Sequence, residues 1–125
     1  FFETCRSRAD EIVIVSHKTE RAHHDPLLTD LRVAALKWME HNGFFDPARL
    51  GLDRRRVHFE ATRDGKVGRI RELGCDVFID DLPEVLGHSA MPEACRKILF
   101  GSEPQDEFEQ YVSWKDLRDA LYRPA

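Results

Sequence analysis

Apolar residues along the chain fall into short runs that alternate with stretches of helical spacing, and the alternation predicts the elements. Phe1, Phe2, Cys5 and Ala9 recur at helical intervals and predict the end of a helix. Glu11 to Val15, EIVIV, is a β-branched run that predicts a strand ending at Ser16-His17-Lys18-Thr19. Asp25-Pro26 reads as a cap followed by a proline in the first helical turn. Leu28, Leu31, Ala35 and Trp38 or Met39 then mark one face, up to a stop at Gly43. Phe44 to Arg56, interrupted by Pro47 and Gly51, reads as a loop, and Val57 to Phe59 as a short edge strand. Thr62 caps a helix whose apolar face is Val67, Ile70 and Leu73, with Lys66 on another side, where a lysine ordinarily stays solvated.

The centre of the pattern is Cys75 to Leu86, CDVFIDDLPEVL. Val77, Phe78 and Ile79 predict a buried strand, Asp80 and Asp81 stand at its carboxyl end, and a helix restarts at Leu82-Pro83. Lys97 to Phe100 predicts another strand ended by Gly101, and an acidic loop runs from Glu103 to Glu109. Ser113 and Asp116 form a capping box for a last helix facing inward through Trp114, Leu117 and Leu121. Strands that alternate with helices predict an α/β fold: a three-layer, Rossmann-like parallel sheet with helices on both faces, built from residues 1–125 as a single domain.

Composition narrows the function classes. A formal charge of −4 offers no general attraction to nucleic acid or to an anionic membrane surface. The basic residues from Arg54 to Arg71 are interspersed with Asp53, Glu60, Asp64 and Glu72 and carry no aromatic stacking pattern, so they read as a solvated face. No apolar run approaches a membrane span, and FFETCRSR lacks the layout of a signal peptide. Cys5, Cys75 and Cys95 are widely spaced with no CxxC pair, which points to a reduced, cytoplasmic setting and to thiols used as small core residues.

The candidate chemistry lies at strand ends. In an open parallel sheet, ligands bind outside the carboxyl ends of the strands, where the pattern puts Ser16, Asp80 and Asp81, with Lys66 early in the helix after another strand. A serine hydroxyl and the N–H groups that follow it, beginning at His17, can hold phosphate oxygens. A lysine can neutralise their charge, and paired carboxylates can hold Mg²⁺ while leaving positions for water and phosphate. Asp80 or Asp81 could instead cap the helix at Leu82-Pro83, a task that needs only one of the two. His17, His23, His24 and Asp25 could alternatively bind zinc or another transition metal, although their spacing matches no structural zinc pattern.

In order, IVIVSHKT, Lys66 within TRDGKVGRI, and FIDDLPEV resemble the second, third and fourth motifs of the haloacid dehalogenase-like superfamily of phosphatases and phosphotransferases. The resemblance spans Glu11 to Phe100 and implies a Mg²⁺-dependent phosphatase acting on a small phosphorylated substrate. By that resemblance Ser16 and His17 bind the transferring phosphate, Lys66 stabilises it, and Asp81 with Asp80 ligates the metal. The family's first motif, Asp-x-Asp after a central apolar strand, has no match ahead of Ser16, where the acids are Glu3, Asp10 and Glu11. The nucleophile and the general acid belong to that motif, so residues 1–125 are not expected to form a competent phosphatase by that mechanism. Two expectations follow: that the native protein carries such a strand upstream of Phe1, between the Glu11 and Val77 strands in the sheet, or that the domain is non-catalytic and binds a phosphorylated ligand or protein.

Overall fold

The computed structural model describes residues 1–17 and 30–122. Its contacts divide the chain into two compact units, one formed by residues 2–69 and the other by Phe1 with residues 70–125. All strand pairing is parallel, in a two-stranded sheet in the first unit and a three-stranded sheet in the second. The α/β class read from the alternation therefore holds.

The first unit opens with helix α1, Phe2–Ser7, which buries Cys5. Strand β1, Ile14–His17, starts later and ends later than the EIVIV run suggests. The partner strand supplies the reason: β2, Val57–Glu60, follows directly on a 3₁₀ turn at Arg54–Arg56, so the ladder begins at Ile14 opposite Val57 and continues to His17 opposite Glu60. Ser16 and His17 are thereby strand residues and not a loop. Helix α2, Leu31–His41, is capped by Asp30, whose carboxylate accepts the N–H groups of Arg32 and Val33 at 3.0 and 3.1 Å. The start read at Asp25-Pro26, and Leu28, lie outside the described residues. Met39 takes the buried position on this helix and Trp38 faces out, and Gly43 ends the segment at φ +78° as expected of a glycine stop. Helix α3, Arg63–Leu73, starts in the first unit and runs into the second from Ile70; it begins as read, with Gly65 N–H donating to Thr62 Oγ1 at 2.9 Å, and Val67 and Ile70 are fully buried.

The second unit holds the sheet of β3, Val77–Asp80, β4, Arg96–Phe100, and β5, Glu109–Tyr111, in that order, with β4 central. Helix α4, Pro83–Leu86, lies against β3 and β4 and buries Val85 and Leu86. Helix α5, Trp114–Leu121, packs on β5; Ser113 Oγ accepts the Asp116 N–H at 3.1 Å, and Leu117 is fully buried. Trp114 departs from the expected inward face. It occupies the first turn, remains 47% exposed, and stacks on Phe100 at 4.5 Å. Strand β5 is not legible in the sequence, because three residues beside an acidic loop give too short a pattern to separate from the loop. Arg96 grips Glu109 with two hydrogen bonds, Nε to Oε1 at 2.8 Å and Nη2 to Oε2 at 2.6 Å, and Tyr111 Oη donates to the same carboxylate at 2.6 Å. These contacts tie the start of β4 to β5.

Candidate functional site

In the first unit the carboxyl ends of β1 and β2 and the first turns of α3 form one rim. His17 Nε2 lies 2.9 Å from the Ala61 carbonyl oxygen, which fastens the end of β1 to the residue before the Thr62 cap. Thr62 then directs the start of α3 through Gly65, and Lys66 N–H donates to the Thr62 carbonyl at 3.0 Å. A side chain at Gly65 would bring its Cβ within 3.0 Å of Thr62 Oγ1 and 3.3 Å of Glu60 Oε2, so this close approach suits glycine. The structure thus gathers Ser16, His17 and Lys66 in one unit, at strand ends and the first helical turns.

Lys66 differs from the solvated helix lysine expected of its position. It is 8% exposed, the only lysine among the described residues that is buried. A lysine is seldom buried without polar partners, because desolvating an ammonium is costly. Glu60, at the carboxyl end of β2, accepts a 2.8 Å hydrogen bond from Arg69 Nε, a half-buried pair that binds α3 to the strand before it. Pattern alone does not single out Glu60, although an acid directly after the VHF run is the same signal that marks Asp80.

Asp80 and Asp81 belong to the second unit, and the structure separates their environments. Asp80 is the last residue of β3, on the same face as Phe78, and is 7% exposed, whereas Asp81 is exposed. Asp80 Oδ1 accepts the Leu82 N–H at 2.9 Å. Leu82, the N-cap residue of α4, makes no side-chain cap itself, so Asp80 holds the turn into the helix and Asp81 takes no part in it. One acid therefore shapes the loop and the second faces solvent. Among the described residues no three His, Cys, Asp or Glu side chains gather closely enough to hold a metal by themselves. Of the alternative histidine site, His23, His24 and Asp25 lie outside the described residues.

The basic stretch behaves as a set of ion pairs. Arg54 pairs with Glu40 at 3.1 Å, Arg55 with Asp53 at 2.8 Å and Arg56 with Glu11 at 2.8 Å, all at largely exposed positions. The fork from Arg55 holds the Asp53 carboxyl below the usual carboxylate range.

No family model, curated protein or solved structure matches the chain. Its function rests on its own residues. No helix among the described residues is long and apolar enough to cross a membrane.

Proposed function

We propose that this chain carries the phosphate-binding and metal-binding parts of a Mg²⁺-dependent phosphohydrolase of the haloacid dehalogenase-like kind. In this reading its parallel strands belong to a three-layer, Rossmann-like arrangement, and it acts in the cytoplasm on a small phosphorylated substrate. The observation that carries the proposal is the rim of the first unit, where the His17 to Ala61 contact couples the strand that carries Ser16 to the capped start of α3 and Lys66 is drawn out of water. Ser16 Oγ would donate to a phosphate oxygen, the backbone around His17 would hold the strand end still, and the Lys66 ammonium would offset the phosphate charge. Such preorganised charges are worth more in a water-poor site than in bulk solvent.

Asp81, with Asp80, would hold Mg²⁺. Carboxylate oxygens suit this cation. When bound, the ion would supply a positive charge at the turn of Asp80 and Asp81. Asp80 keeps its carboxylate in place through Leu82 N–H, so its contribution is positioning as much as ligation.

Hydrolysis by this route also requires an aspartate nucleophile, and no residue ahead of Ser16 supplies the Asp-x-Asp pattern. A second reading is a domain that binds a phosphorylated ligand or protein without turning it over. Two measurements separate the readings. Calorimetric titration with Mg²⁺ should show binding that weakens at least tenfold in Asp81→Asn while circular dichroism stays unchanged; equal affinity in the variant would remove the metal role. Phosphatase activity is then assayed with Mg²⁺ on the gene product, including whatever residues its gene encodes ahead of Phe1. Turnover supports the enzyme, and phosphate-analogue binding without turnover supports the binding domain.

A further inference from the structure

Cys75 and Cys95 are separated widely in sequence, yet both belong to the second unit and both line one open cleft of about 590 Å³ at the amino-terminal ends of β3 and β4. The ladder explains how they meet. Val77 lies opposite Arg96 in the first pair of the ladder, and Arg96 N–H donates to the Asp76 carbonyl at 2.8 Å, so Cys75 and Cys95 each immediately precede a residue of this hydrogen-bonded pair. Paired strands lie about 4.8 Å apart, which brings the residues flanking such a pair within several ångströms of each other. Disulfides span about 4.4–6.8 Å between Cα atoms. The backbone bends at Asp76, so the alternation of faces along β3 does not carry back to Cys75, and both cysteines line the same cleft.

We propose that Cys75 and Cys95 form a reversible disulfide that staples the start of β3 to the start of β4 in response to a low-molecular-weight disulfide. Cys75 is half-buried and Cys95 is buried, so Cys75 is the residue that meets the oxidant first. Its thiolate attacks one sulfur of the external disulfide, forming a mixed disulfide and releasing one small thiol, which carries off the proton given up by Cys75. Cys95 then loses its proton and displaces the second small thiol. The two protein sulfurs give up two electrons in total, and the external disulfide leaves as two thiols.

Burial, with the Asp76 carboxylate second, pushes the Cys75 thiol up from its ordinary range, and burial together with the charge of Cys75 does the same at Cys95. The influence of Cys75 on Cys95 is what two sulfurs near one cleft should show. It also keeps the pair mostly as thiols at neutral pH, so the exchange is slow and closes only when oxidant persists. The segment closed by the bond, residues 75–95, contains Asp80, Asp81 and α4, so oxidation would stiffen the acidic turn. The bond requires only the ladder and the cleft, and so stands independently of the phosphohydrolase reading.

The test equilibrates the reduced protein in buffers of graded oxidised-to-reduced glutathione ratio, quenches with acid and alkylates the remaining thiols. The expected product loses the mass of two hydrogens, carries no glutathione, and yields one cross-linked peptide joining Cys75 to Cys95 while Cys5 is alkylated. Its thermal midpoint should rise by several degrees and return on reduction. Cys75→Ser should neither lose the two hydrogens nor gain the rise. A stable glutathione adduct on Cys75 in the parent protein, a cross-link between molecules, or no reaction in fully oxidised glutathione would each overturn the proposal.

Discussion

Replacing Lys66 with Met separates a phosphate ligand from a merely structural lysine. Lys66 is 8% exposed, so truncation to Ala would open a cavity as well as remove a charge, whereas Met keeps an unbranched stem of similar reach. A charge-assisted hydrogen bond contributes about 1.5–3 kcal/mol, and each 1.4 kcal/mol is a factor of ten, so the variant should bind vanadate or inorganic phosphate roughly ten- to a hundredfold more weakly. The folded state should suffer little, because the cost of keeping an ammonium out of water disappears with the charge. The assay is a calorimetric titration of parent and variant with vanadate, paired with thermal melts in its absence. A structural lysine would give the opposite pattern: its buried partners would be left unmet at about 1–3 kcal/mol, the melting midpoint would fall, and anion affinity would stay within twofold. That outcome would refute the assignment of Lys66 to phosphate.

Two further predictions concern the scaffold. The Arg96 fork, then the Tyr111 hydroxyl, holds the Glu109 carboxyl below its ordinary value of 4.5, so the stabilisation is present above that value and lost as pH falls through the lower folded-state one. At neutral pH Glu109→Gln should cost under about 1 kcal/mol, because the pair is partly exposed, and in urea melts the gap between parent and variant should close as pH drops below that range; a gap that widens in acid would contradict the pairing. Gly43 sits at φ +78° and a Cβ there would collide with the Arg49 side chain, so Gly43→Ala should destabilise by about 1–2 kcal/mol in urea melts, and a neutral or stabilising result would sink the argument.

Much of this protein could be read from local pattern alone, because periodicity and caps are properties of neighbouring residues. The alternation of runs determined an α/β chain; the caps at Thr62 and Ser113, the stop at Gly43 and the buried positions of Val67, Ile70 and Leu117 were all legible in short windows of sequence. What depended on distant partners was not. The limits of β1 were set by where β2 begins, so the strand starts at Ile14 and runs on through Ser16 and His17 past the EIVIV run. Asp80 and Asp81 are chemically identical in sequence, and only the ladder with β4 and the turn to Leu82 N–H buried one and exposed the other. Lys66 illustrates the same limit most sharply. Helical spacing placed it off the apolar face, which predicts a solvated side chain, but burial is decided by everything packed around a residue and not by its own helix. The tertiary structure removed this lysine from water and set it one turn past the contact that holds the end of β1.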